Sequence, residues 1–217
     1  METKTTTPNP PSWHEQNALS LFFLVLPFLA LPFLADALPD RVPMHWNAYG
    51  EADRFGSKWM SLLFLPILNV WLFFLMSVLP KLDPNQPPSN ARLLPVINAG
   101  IILFMFGLWA VVILQSMGYA FNATKVVLLG VVLLLMFLGN YMHKLQPNSF
   151  VGLKIATDDK QTWRKANRML GYLWTGGGLL ALPMVWWLSP PLDVAFFLGY
   201  AIMGCAVPFL VTKGRLA

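Results

Sequence analysis

Leu93–Met117, LLPVINAGIILFMFGLWAVVILQSM, runs for 25 residues without an Asp, Glu, Lys or Arg. A hydrocarbon core about 30 Å thick needs roughly 20 helical residues to cross it. Lipid offers no water to pair backbone groups, so a stretch this apolar has to be helical there. Five more charge-free runs share the pattern: Ala18–Ala35, Trp59–Leu79, Val126–Met142, Met169–Leu188 and Val194–Val211. The fold class is therefore all-α, a polytopic membrane protein with about six transmembrane helices.

Composition agrees. The 217 residues are 56% hydrophobic and 12% charged, where a soluble domain carries about 25% charged residues. The formal charge of +5 would suggest nucleic acid in a soluble chain. Here it reads as basic residues gathered on the cytoplasmic side of a membrane, and no direct nucleic-acid binding is expected. The single cysteine, Cys205, excludes an intrachain disulfide and a Cys-based metal cluster. Ala35-Asp36-Ala37 resembles a signal-peptidase site, but the preceding apolar segment is long, holds Pro27 and Pro32, and follows a tail whose one basic residue is Lys4. It reads as an uncleaved anchor.

With the N-terminus inside, eleven Lys and Arg fall on inner segments and four (Arg41, Arg54, Lys58, Lys125) on outer ones. Both termini are thus expected in the cytoplasm. The organisation that follows is a disordered cytoplasmic tail over 1–17, a two-helix unit over 18–79 with an ordered outer loop at 36–58, and a four-helix unit over 93–212 with an inner loop at 143–168. The connector Pro80–Arg92 reads as a link without a role of its own.

In the outer loop, Val42, Met44 and Trp46 alternate with Pro43, His45 and Asn47, a strand-like pattern. Asn47 to Gly50 supplies turn residues, with Gly50 suited to positive φ, and Ser57 is placed to cap the second helix. His45, Asn47, Glu51, Asp53 and Arg54 form the polar set. They are read either as bonding to one another and the turn backbone, with Trp46 and Tyr49 as interfacial anchors, or as a ligand site. One His with two carboxylates matches no metal motif, and no cofactor is expected.

In the inner loop, Asp158 followed by Gln161 suggests a capping box. Beyond it Trp163, Asn167, Leu170 and Trp174 share one helix face, and Lys160, Arg164 and Arg168 another. The cationic face suits anionic lipid or an acidic cytoplasmic partner. Asn69, Asn98, Gln115 and Asn140 are the notable polar side chains at membrane depth or near its edge. Prolines at 27, 32, 66, 95, 183 and 208 interrupt the runs, and Gly176-Gly177-Gly178 lies mid-span. Ionisable residues are missing from the spans, which argues against a proton-coupled carrier. The three histidines, His14, His45 and His143, fall on different faces, and neither H-E-x-x-H nor G-x-S-x-G occurs, so an enzyme is not expected.

Leu38-Pro39-Asp40, Pro43-Met44-His45-Trp46-Asn47 and Gly50-Glu51-Ala52-Asp53-Arg54 through Ser57-Lys58 resemble a bacterial two-helix domain of unknown function. Gly139-Asn140-Tyr141, Pro147-Asn148-Ser149-Phe150-Val151-Gly152-Leu153-Lys154 and Trp163-Arg164-Lys165-Ala166-Asn167-Arg168 resemble the hallmark of the SdpI-type immunity family, and the likeness covers most of 18–211. Lys154 stands where that family favours Arg, and Ile155 to Asp159 replace its usual Thr-Pro-x-Thr-Leu stretch. The resemblance implies a bacterial plasma-membrane protein that protects against a secreted, membrane-active peptide toxin and signals to a small cytoplasmic repressor. It implies an outer ligand site at His45, Trp46, Asn47, Gly50, Asp53 and Arg54. It also implies an inner partner or lipid site at Asn140, Asn148, Gly152, Lys154, Trp163, Arg164 and Arg168. The alternative class is a transporter or permease component, suggested by the Pro- and Gly-broken helices.

Overall fold

The computed structural model describes residues 12–84, 86–148, 151–153 and 159–213. Six helices are long and apolar enough to cross a membrane: α1 (Trp13–Ala37), α2 (Lys58–Val78), α3 (Leu94–Ser116), α4 (Ala123–Met142), α5 (Lys160–Trp187) and α6 (Leu192–Lys213). Between α1 and α2 the chain forms an antiparallel hairpin of β1 (Arg41–Trp46) and β2 (Ala52–Ser57). Two single turns of 3₁₀ helix, Leu79–Leu82 and Pro88–Arg92, join α2 to α3.

The helix starts follow from capping chemistry. Ser12 and Glu15 form a reciprocal capping box, the Ser12 amide donating to Glu15 Oε2 at 2.6 Å and the Glu15 amide to Ser12 Oγ at 3.4 Å. That box starts α1 at Trp13, so residues 12–17 of the expected tail are capped and helical rather than disordered. Residues 1–11 lie outside the described residues. For α5 the cap is Asp159, which accepts the amides of Gln161 at 2.9 Å and Thr162 at 3.0 Å. The expected start at Asp158 is thus displaced by one residue, and Asp158 itself lies outside the described residues. Ser57 Oγ accepts the Trp59 amide at 3.3 Å at the head of α2. Pro95 sits in the first turn of α3, where its missing N–H leaves no bond unmade, so it opens that helix instead of breaking it.

The helices pack as two three-helix bodies. In one, Leu38, Val42 and Leu62 meet Trp109 and Ile113 of α3. In the other, Leu128 and Val132 of α4 meet Ala181 and Val185 of α5. Packing therefore sets α3 with α1 and α2, although along the chain it opens the four-helix unit. A third cluster, Ile97, Met142, Leu145, Trp163 and Leu170, joins the bodies at the end away from the hairpin. Close approach of α4 and α5 depends on paired glycines: a Cβ on Gly171 would lie 2.7 Å from the Gly139 carbonyl oxygen. Small residues at such crossings let two membrane helices touch backbone to backbone. The outward faces are apolar, with Phe33 and Trp187 each 78% exposed, the surface a lipid-facing bundle needs.

Candidate functional site

At the hairpin end, strand pairing sets Val42 opposite Gly56 and His45 opposite Arg54, with irregularities on either side of His45. Val42 turns into the core under the hairpin, which is why the alternation from Val42 to Asn47 is readable in the sequence. Lys58 closes the base, reaching the Asp40 carboxylate at 3.2 Å. At the tip, Asn47 Oδ1 accepts the amides of Tyr49 (2.9 Å) and Glu51 (3.1 Å), and its Nδ2 donates to Glu51 Oε2 at 3.0 Å. Gly50 completes the turn at φ +83°, a conformation that costs other residues more.

The tip is fastened to the second body. Thr124 Oγ1 donates to the Asn47 carbonyl at 2.8 Å and Asn122 Nδ2 to the Tyr49 carbonyl at 3.0 Å. A Cβ at Gly50 would collide with the Asn122 amide. Nothing local to 122–124 announces this in the sequence; Asn122 reads only as the N-cap of α4, which it also is.

Of the expected outer-site residues, His45 and Asp53 come together, Nδ1 to Oδ1 at 2.6 Å, both substantially exposed. Arg54 lies on the neighbouring strand, exposed, and its side chain makes no hydrogen bond or ion pair among the described residues. Asn47 and Gly50 build the turn, and Trp46 is half-buried. Among the described residues no group of three or more His, Cys, Asp or Glu side chains is placed to hold a metal ion.

Nearby, Lys125 donates to the carbonyls of Trp186 (3.1 Å) and Leu188 (3.0 Å) at the end of α5. An ammonium there complements the negative end of the helix. Its Nζ also stands 3.9 Å from the carboxylate of Asp193, which is 1% exposed. This ties α4, α5 and α6 together at a connection too short to suggest a site.

The opposite end is held by two asparagines. Asn90, fully buried, donates to the Gln146 carbonyl at 3.1 Å and accepts the Gln146 amide at 3.0 Å. Asn90 thus makes the end of the α2–α3 connector a clamp on the loop after α4. Asn167, 1% exposed, accepts the Leu153 amide at 2.7 Å and donates to the carbonyls of Leu153 (3.3 Å) and Trp163 (3.1 Å). Gly152 takes φ +100° against the Asn167 amide and the Trp163 ring. Asn148 turns the chain locally, its Oδ1 accepting the Val151 amide at 2.7 Å and its Nδ2 donating to the Gln146 carbonyl at 2.9 Å.

Trp163 is therefore a core residue packed with Leu145 and Leu170, not a surface for a partner, because the α5 face it shares with Asn167 points inward. Asn140, Arg164 and Arg168 are exposed, and Lys154 lies outside the described residues. Hydrogen bonds from the Thr162 hydroxyl, then the Gln161 and Thr162 amides, hold the Asp159 carboxyl below its usual value. At neutral pH the start of α5 consequently carries a firm anion beside its cations.

Comparison with known proteins converges on these two regions. Residues 144–212 match the SdpI/YfhL protein family, and residues 22–70 a domain of unknown function (DUF1648). The chain is 25% identical over 156 residues, 71% of its length and 73% of the relative's, to the immunity protein SdpI of Bacillus subtilis (strain 168). No solved structure matches it. Six spanning helices and these matches describe a multi-pass protein of the bacterial membrane that is similar to the SdpI-type immunity proteins.

Proposed function

We propose that this chain confers resistance to a membrane-active peptide, without catalysis, and reports its presence across the bilayer. Homology to an immunity protein supports the membrane immunity role. The observation that carries the finer reading is the hairpin: a stiff two-stranded projection that holds the His45–Asp53 pair and Arg54 exposed while its tip is bonded to α4. The excess of Lys and Arg at the opposite end argues for N-in/C-in topology, with the hairpin outside. An incoming amphipathic peptide would find the polar edge of the hairpin beside an apolar helix surface. Since the hairpin rests on α4, a peptide that moves the tip acts on the helix whose far end leads into the second loop. A ligand shifts such an equilibrium only through contacts that differ between states, and the tip bonds are the contacts available to differ.

Expression in a sensitive bacterium is expected to raise survival against at least one peptide in a panel of membrane-active toxins. Superimposable killing curves across the panel, with the protein present in the membrane, sink the reading. The reporting arm is separable. Replacing Arg164 and Arg168 by Ala is expected to abolish signalling to a cytoplasmic regulator while sparing protection, and loss of both together would mark a folding role instead.

A further inference from the structure

Two cavities of about 340 Å³ each lie side by side at the end opposite the hairpin. They share the wall residues Met76, Pro80, Leu94 and Asn98. One opens among the ends of α1, α2 and α3 and is lined by Gln16, Lys81, Asp83 and Gln86. The other runs inward along Ile101, Leu138, Leu170 and Trp174 beneath the 151–153 segment and is lined mainly by apolar side chains. Polar at the helix ends and apolar towards the bundle, the pair has the shape of a seat for a head group and a chain.

Asn98 lies on the shared wall, 4% exposed, and its Oδ1 has no hydrogen-bond partner. Gln86 Oε1, on the polar side, is also buried without one. An orphan acceptor costs about 1–3 kcal/mol, so two beside an open cavity imply a donor supplied from outside the chain. The exposed Lys81 on the same wall adds a cation. A ligand matching all of this carries N–H donors, an anionic group and an apolar tail.

We propose that this seat binds a phospholipid with an ethanolamine head group as a resident ligand. The primary ammonium donates to Asn98 Oδ1 and Gln86 Oε1, the phosphate lies toward Lys81, and an acyl chain occupies the apolar cavity. A choline head group has no N–H and leaves both acceptors unpaired. The site is independent of the peptide-resistance reading, since neither orphan acceptor belongs to the hairpin or to the cationic face of α5.

The test is competition on the full-length chain in detergent. Phosphatidylethanolamine and phosphatidylcholine with identical acyl chains are offered in equal amounts, and retained lipid is counted by native mass spectrometry. The ethanolamine lipid is expected to be retained about tenfold over the choline lipid, the value of a charge-assisted hydrogen bond. Asn98→Leu is expected to fold, because it removes an orphan atom, and to lose that preference. Leu138→Trp, which fills the apolar cavity, is expected to reduce retention of the ethanolamine lipid. Equal retention of the two lipids by the native chain, or an undiminished preference in folded Asn98→Leu, overturns the proposal.

Discussion

The hairpin and the opposite loop region solve one problem in contrasting ways. Each must hold irregular backbone at the edge of a helical bundle. At the hairpin the backbone pairs with itself, so the side chains of His45, Asp53 and Arg54 stay at the surface. At the other end the described backbone makes only short-range turns with itself, and side chains are turned inward to hold distant segments together, with Asn90 and Asn167 buried against Gln146 and Leu153. Polar residues therefore mean opposite things at the two ends: exposed chemistry at one, internal scaffolding at the other.

The sharpest way to break this contrast is at Asn167. Leucine there would leave the Leu153 amide and carbonyl without their partner, and the expected loss is about 3 kcal/mol in denaturation of the detergent-solubilised protein. Asn90→Leu strands the Gln146 amide and is expected to cost about 2 kcal/mol, less because the Gln146 carbonyl keeps the Asn148 side-chain amide as a partner. If either variant unfolds at the wild-type midpoint, the buried asparagines are not the scaffold of this end.

Gly50→Ala comes next, with about 1–2 kcal/mol from placing a Cβ at positive φ and a collision with Asn122. Repeating it in an Asn122→Ala background separates the two causes. Recovery of part of the loss assigns that part to the contact, and strict additivity assigns it all to the turn. Thr124→Val removes one tip bond and is expected to cost about 1 kcal/mol. Its informative readout is amide exchange: residues 47–51 are expected to exchange faster, while 151–153 stay unchanged in the absence of a ligand. Faster exchange at both ends would show that the two regions already move together.

The six helices were legible because lipid imposes one rule, no unpaired backbone and no charge for about 20 residues, and each run meets it in plain text. The hairpin was legible for a related reason: Val42 must be buried and His45 exposed, and the two-residue period prints that requirement on the sequence. The inner clamps were not. Asn90 sits in a Pro-rich connector that looks slack, and its partner Gln146 lies 56 residues away. Asn122 and Thr124 bond to carbonyls of Tyr49 and Asn47, groups every residue has, so no side-chain pattern at the hairpin signals them. Trp163 lay in a recognisable motif, but the motif does not say that its helix face points inward. Asn98 was visible as a polar residue in a span, yet only the adjoining cavities show that its oxygen has no partner.

The smallest expected stability change belongs to the most exposed pair. His45 and Asp53 meet at 2.6 Å in water, and an exposed pair of this kind contributes about 0–1 kcal/mol because solvent competes for both partners. Asp53→Asn preserves the shape of the side chain and can still accept from the ring, so the unfolding midpoint is expected to move by less than about 0.5 kcal/mol. Protection against the peptide is expected to fall all the same, because removing the carboxylate changes the charge that the hairpin edge presents to an incoming ligand. The matching buried change, Asn167→Leu, loses stability first and function only as a consequence. A variant of Asp53 that loses both in parallel would place this pair with the asparagines, as scaffold, and would move the ligand-facing surface elsewhere on the hairpin, with exposed Arg54 the next residue to replace.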